Sequence, residues 1–254
     1  MNAINISKND IRRCFNKAAI TYDKYSHVQQ FVGKKLLDLL CQYKTQTDRV
    51  IDLGCGSGLV TQQLACAMSY KSFHAIDIAH NLLMLARKRL QSHQIKVYEQ
   101  DFDNLTSSNE LFDLAFSNMA LHWSLTFEQT LLTIQQNLLL NGIIAFSIPV
   151  AGTFLELNAD SINHFYLENT IFEWLSLAGF ERVAYFVDSL TVKFDNFIDA
   201  LNSIKKVGAN STLIKSQVAL CGKSFLNQIA KVENLAVQPF SLTYRIGYFI
   251  ARKV

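Results

Sequence analysis

Residues 50–58 read Val-Ile-Asp-Leu-Gly-Cys-Gly-Ser-Gly, and an apolar-periodic segment follows directly over 59–69. A short β-branched run over 49–53 carries an acid, Asp52, and runs into a GxGxG turn of Gly54, Gly56 and Gly58; a helix comes next. Glycines let the backbone turn sharply and approach a ligand closely, so this is a nucleotide-type loop. The spacing is not the GxxxxGK(S/T) of a phosphate loop, so the turn is not built to grip a triphosphate.

Working outward, the alternation repeats. Residues 72–77, 95–100, 112–117 and 142–148 read as strands, while 81–92 and an amphipathic stretch over 126–139 read as helices. Residues 170–178 read as a helix closed by Gly179, followed by a strand over 180–190; 241–252 reads as the last strand. Upstream, Ser7 can cap a helix over 7–22, and 27–43 reads as a second one. Strands alternating with helices predict a parallel, doubly wound α/β sheet with right-handed crossovers. The organisation expected is a helical lid over 1–45, a Rossmann-like core over 46–194, a helical insertion over 195–238 and a closing strand over 239–254.

Two further acids sit where this topology places ligands. Asp77, next to Ile78, lies nineteen residues after Gly58 at a strand end, where an acid reads as a ribose-diol acceptor. Asp101-Phe102 ends the third strand, where a carboxylate can accept from an adenine amino group and an aromatic ring can flank the base. One such acid could simply cap a turn. Three acids near successive strand ends, around a glycine turn, point instead to an adenosyl cofactor, S-adenosylmethionine (SAM).

Bulk properties narrow the field. The chain has 254 residues, half of them apolar and 18% charged, as expected of a soluble domain with a sizeable core. A net charge of +3 is too small to argue for nucleic acid. The five cysteines form no CxxC pair, so no metal site is expected, and their scatter suits a reducing cytosol. The first residues lack an apolar signal core and no apolar run is long enough to span a bilayer, so a cytoplasmic, non-membrane protein is expected.

The segments VIDLGCGSGLVTQQL (50–64), AIDI (75–78), QDFDNL (100–105), FDLAFSNM (112–119) and LLNGIIAFS (139–147) resemble the class I SAM-dependent methyltransferases. The resemblance implies a Rossmann-like, seven-stranded, mostly parallel sheet with an antiparallel last strand and helices on both faces. It implies that Gly54, Gly56 and Gly58 approach the methionine part of the cofactor, that Asp77 takes the ribose, and that Asp101 and Phe102 take the adenine. Asp52, Ile78, Ser117, Asn118 and Tyr22 join them as cofactor-binding candidates. Base-modifying enzymes are disfavoured: Ser117-Asn118-Met119-Ala120 carries no proline, and no cysteine follows a proline.

Four finer stretches narrow the resemblance. FNKAAITYDKY (15–25), FSNMALHW (116–123), LNSIKKVGAN (201–210) and LTYRI (242–246) are similar to the malonyl-acyl-carrier-protein O-methyltransferase family of biotin synthesis. His122 stands where that family commonly has Gln, and the segment over 155–165 is shorter than usual. The family implies methylation of the free carboxylate of a malonyl thioester. Such a group is ionised at neutral pH, with a pKa of about 4, so no general base is required.

Tyr22 and Tyr25 are then lid candidates, since an aromatic face attracts a sulfonium by about 1 kcal/mol. Trp123 and His122 follow the fourth strand, where the methyl acceptor sits. With Tyr22 they make the catalytic set. Arg12, Arg13, Arg182 and Arg245 are candidates for a carboxylate fork, and the sequence does not choose among them. Lys205, Lys206, Lys215 and Lys223 suit an acidic carrier protein, met by a monomer or weak dimer. Two other readings stay open. One is a different small-molecule methyltransferase, acting on a trans-aconitate-like carboxyl or, with His122 as base, on a quinone-ring carbon. The other is a SAM-fold assembly factor or hydroxylase acting on a protein partner.

Overall fold

The structure, a computed structural model, describes residues 7–105, 110–157, 165–209 and 238–254. In chain order it comprises α1 (Lys8–Tyr25), α2 (His27–Leu40), β1 (Arg49–Leu53), α3 (Leu59–Ala67), β2 (Ser72–Asp77), α4 (His80–Leu90), β3 (Lys96–Glu99) and β4 (Phe112–Asn118). There follow α5 (Phe127–Gln136), β5 (Leu138–Pro149), α6 (Glu168–Leu177), β6 (Phe180–Phe194), α7 (Phe197–Lys206) and β7 (Phe240–Lys253). Helix α1 starts in a capping box: the Asp10 amide donates to the Ser7 hydroxyl, and the Ser7 amide donates back to the Asp10 carboxylate.

The seven strands order as β3-β2-β1-β4-β5-β7-β6. β7 runs antiparallel to both neighbours, and the other pairings are parallel. The α/β fold expected from the sequence is therefore the one observed. Residues alternate across the sheet. Val50, Leu64, Leu83 and Ile204 pack with α2, α3, α4 and α7 on one face; Ile51, Leu131, Ile144 and Leu175 pack with α5 and α6 on the other. The strand order reverses between β1 and β4, which opens a crevice at their carboxyl ends.

One boundary differs from the sequence reading. The helix expected over 126–139 stops at Gln136, because Leu138 joins β5 and pairs with Phe112. The apolar run Leu138-Leu139-Leu140 fits either period. Burial of Leu138 in the sheet, and the Phe112 amide donating to the Asn137 carbonyl at 2.9 Å, decide for strand. Strands β6 and β7 also run longer than expected, since each pairs along its whole length with the other.

Candidate active site

The glycine turn is sewn to the end of β2. The amides of Gly54 and Cys55 donate to the Ile76 carbonyl at 2.8 and 3.0 Å. Gly54 has φ +79, and a Cβ there would lie 2.3 Å from the Ala120 Cβ, so only glycine fits. Asp77 closes the turn: its Oδ2 accepts from the Gly56 amide and its Oδ1 from the Ala79 amide, both at 2.8 Å. Burial raises the Asp77 pKa, and these backbone amides oppose the rise. Asp52, buried beside it, accepts from the Thr61 hydroxyl at 2.7 Å. Burial pushes its carboxyl up to about 7; the Thr61 bond works against that and the Asp77 charge adds to it.

Helix α1 lies across this turn; the Thr21 hydroxyl ties it to the Lys206 carbonyl of α7 at 2.8 Å, and three further points fasten it around the turn. Near its start, Lys8 Nζ reaches Asp101 Oδ1 and Asp103 Oδ2, each at 2.8 Å, and sits 4.5 Å over the Phe102 ring. In its middle, Asn16 Oδ1 accepts from the Asn81 amide at 2.7 Å. Near its end, the Asp23 carboxylate accepts from the Ser57 hydroxyl at 2.5 Å and from Arg89 Nη2 at 2.6 Å. Arg89 Nη1 also donates to the Ser57 carbonyl. This clasp sets the Tyr22 hydroxyl above Gly56, where a Cβ would approach it to 3.5 Å. Burial first, then the charges of Asp77 and Asp23, raise the Tyr22 pKa, so its hydroxyl stays protonated.

Two adjoining pockets meet here. One is bounded by Asp52, Gly54, Ser57 and Asn118. The other is mostly apolar, walled by Phe15, Trp123, Phe154, Phe165 and Tyr244. Tyr22 and Gln29 line both and so stand at the boundary. Trp123 meets Phe15 edge-on at 5.6 Å, and His122 lies 4.9 Å from Trp123. Burial lowers the His122 pKa to about 3, which keeps the ring neutral. Its Nδ1 and the Gln29 Oε1 are buried with no hydrogen-bond partner among the described residues. An unmet buried polar atom costs about 1–3 kcal/mol, so such atoms are rare in finished structures.

The other sequence candidates fall as follows. The Ser117 hydroxyl is buried and donates to the Leu53 carbonyl at 2.8 Å. Asn118 bridges β5 and α2: its Oδ1 accepts from Ser147 at 2.9 Å, and its Nδ2 donates to the Gln29 carbonyl at 2.9 Å. Ile78 follows Asp77 beside the turn, and Tyr25 points away from it to pair its ring with Lys206 at 4.1 Å. None of the four candidate arginines lines either pocket. Arg12 bonds Asn9, Arg13 bonds Asp10 and Arg182 covers Phe172. Arg245 is held by Glu168 at 2.5 Å and the Ala151 carbonyl at 2.7 Å. Lys205 and Lys206 close α7; Lys215 and Lys223 lie outside the described residues. The sequence reading missed Gln29, Asp23, Phe154 and Tyr244. Asp23 and Tyr244 did lie in family-like stretches, 15–25 and 242–246, whereas Gln29 and Phe154 left no local signal.

A buried and a partly buried carboxylate at two strand ends, a turn of three positive-φ glycines in which Gly54 has no room for a side chain, and an aromatic hydroxyl above it fit an adenosyl sulfonium. Comparison with known proteins agrees. Residues 44–181 match a family described as a methyltransferase domain. Malonyl-acyl-carrier-protein O-methyltransferase 2 of Coxiella burnetii is 34% identical over 252 residues, 99% of this chain and 98% of that protein. The chain belongs to the malonyl-acyl-carrier-protein O-methyltransferase family. A member of this family from Geobacter sulfurreducens is 26% identical over 242 residues, covering 89% of this chain and 90% of that one. Two more distant folds superpose on this family member. The YcgJ protein of a Bacillus gives a TM-score of 0.63 at 14% identity, covering 87% of this chain and 98% of its own. A phosphoethanolamine N-methyltransferase of Haemonchus contortus, solved with SAM, gives 0.61 at 16% identity, covering 96% and 60%. This malonyl-acyl-carrier-protein O-methyltransferase family member is a SAM-dependent methyltransferase.

Proposed function

We propose that this enzyme methylates the free carboxylate of a malonyl group carried on acyl carrier protein, an early step of biotin synthesis in the cytoplasm. The observation that carries the reading is the shared boundary of the two pockets, where Tyr22 and Gln29 face the cofactor side and the apolar side at once. SAM supplies an electrophilic sulfonium methyl when bound. Gly54, Gly56 and Gly58 leave room for its methionine end, with Asp52 below. Asp77 and Ile78 border the ribose. Asp101 keeps its Oδ2 for the adenine while Lys8 and the Asp103 amide hold Oδ1. Phe102 flanks the base. Ser117 and Asn118 act through the backbone they fasten.

On the acceptor side Trp123, Phe154 and Phe165 exclude water from a nucleophile that is already ionised, and Tyr22 orients the methyl. No proton has to be abstracted, which agrees with a His122 too weakly basic to remove one at neutral pH. That weak basicity disfavours the carbon-methylation reading, which needs a base. The lid over 1–45, the core over 46–194, the insertion over 195–238 as the acyl or carrier contact and the closing strand over 239–254 describe the division of labour in this proposal.

The test is direct. Purified protein, labelled SAM and malonyl-acyl carrier protein should yield a base-labile methyl ester, and the gene should rescue a biotin auxotroph blocked at this step. Malonyl-coenzyme A in a parallel reaction distinguishes the two carriers. Absence of the ester on both carriers, with SAM binding intact, overturns the proposal.

A further inference from the structure

Three buried side-chain polar atoms lack a hydrogen-bond partner among the described residues: Gln29 Oε1, Thr47 Oγ1 and His122 Nδ1. Two of those three line the same apolar pocket, one from the first turn of α2 and one from the turn after β4. Two unmet polar atoms in one pocket point to a ligand that meets them. The pocket's described lining carries no lysine or arginine. Every arginine that the sequence offered for a carboxylate fork has another partner elsewhere.

We propose that Gln29 and His122 grip the substrate carboxylate as a pair of neutral hydrogen-bond donors, with the sulfonium as its counter-charge. The assignment rests on the function proposed above. A carboxylate only accepts, so His122 presents Nδ1–H, and the Gln29 carboxamide is turned by half a rotation so that its NH2 takes the position of the unmet Oε1 and donates to the carboxylate. In the reaction a carboxylate lone pair forms the O–CH3 bond, the S–CH3 bond breaks, and its electron pair stays on sulfur. An anion and a cation become a neutral ester and a neutral thioether, and no proton moves. Charge is therefore smaller in the transition state than in the ground state. A fixed cation would hold the ionised ground state more firmly than the transition state and slow the step. Neutral donors fix the direction of attack without that penalty. They also release the product, because an ester oxygen is a weaker acceptor than a carboxylate.

Steady-state kinetics on the full chain with malonyl-acyl carrier protein tests this. His122→Phe and Gln29→Leu should each raise KM for the acyl substrate about ten-fold or more, as loss of one hydrogen bond to a charged group implies, with KM for SAM little changed for His122→Phe. His122→Asn, which keeps a neutral donor, should recover part of that loss. His122→Lys should lower the acyl KM and reduce kcat by about ten-fold or more, a split that a structural role would not produce. Calorimetric binding of S-adenosylhomocysteine to each variant confirms that its fold stands, with His122→Asn as the mildest change. Wild-type protein that makes no ester overturns both readings. Ester formation with acyl KM within about two-fold of wild type in His122→Phe and Gln29→Leu, or with kcat raised in His122→Lys, overturns this one alone.

Discussion

Asp52 is 2% exposed at the end of β1, and its one side-chain partner, the Thr61 hydroxyl, does not make up for the water it has lost. Its carboxyl consequently titrates at about 7. The folded value lies above the unfolded one. Its contribution to stability is thus fully present below about pH 4 and is lost as pH rises through about 7. A cationic cofactor above the carboxylate has the opposite preference, for the ionised form. SAM should therefore bind several-fold more tightly at pH 8 than at pH 6, by calorimetry in buffers of matched ionic strength, and Asp52→Asn should flatten that dependence. A Kd that is level across this range in the wild type would mean that Asp52 does not face the cofactor's charge.

At the scale of elements, α1 behaves as a clasp. Its three fastenings to the α3, α4 and β3 ends of the sheet are polar, while Ile11, Cys14, Ala18 and Ala19 are buried beneath it and Phe15 packs edge-on against Trp123. Polar fastenings at a partly exposed edge are weak singly, and they open more readily than a packed core. Asp23 takes part in the tightest of them, together with Ser57 and Arg89. Asp23→Asn should speed release of S-adenosylhomocysteine about ten-fold in a stopped-flow competition experiment, and Arg89→Met added to it should change little more, because the two act in one contact. Additive effects of the two substitutions would show instead that they work at separate sites.

For the whole molecule, the sheet provides the rigid base on which these weaker contacts act. Phe146 in β5 stacks on Phe249 in β7 at 4.8 Å, with both rings buried, and so joins the parallel part of the sheet to its antiparallel edge. Phe146→Ala should lower the unfolding free energy by about 3–5 kcal/mol, read from urea denaturation, because the cavity it leaves is enclosed on all sides. A loss under about 1 kcal/mol would show that the two halves of the sheet repack independently. The order β3-β2-β1-β4-β5-β7-β6 is what brings the ends of β1 and β4, and therefore both pockets, to one edge.

Local pattern was enough to read the α/β alternation, the GxGxG turn and the acids at strand ends, since each follows from residues within a few positions of one another. The antiparallel last strand was not in the local pattern; it came through the class I resemblance carried by segments such as 50–64 and 112–119. The end of α5 was not readable, because Leu138 satisfies helix and strand periods alike and only Phe112, twenty-six residues earlier, decides between them. Nor was the polar content of the apolar pocket. Gln29 sits among ordinary helix residues, and nothing near it in the chain marks it; it acquires meaning where α2 passes the turn after β4, which brings it to the same pocket as His122. Arg245 looked as suited to a carboxylate as any arginine until Glu168, seventy-seven residues away, was found holding it. Backbone geometry and burial period are written in short-range spacing, whereas the partner of a polar side chain is set by long-range packing that brings distant segments within 3 Å.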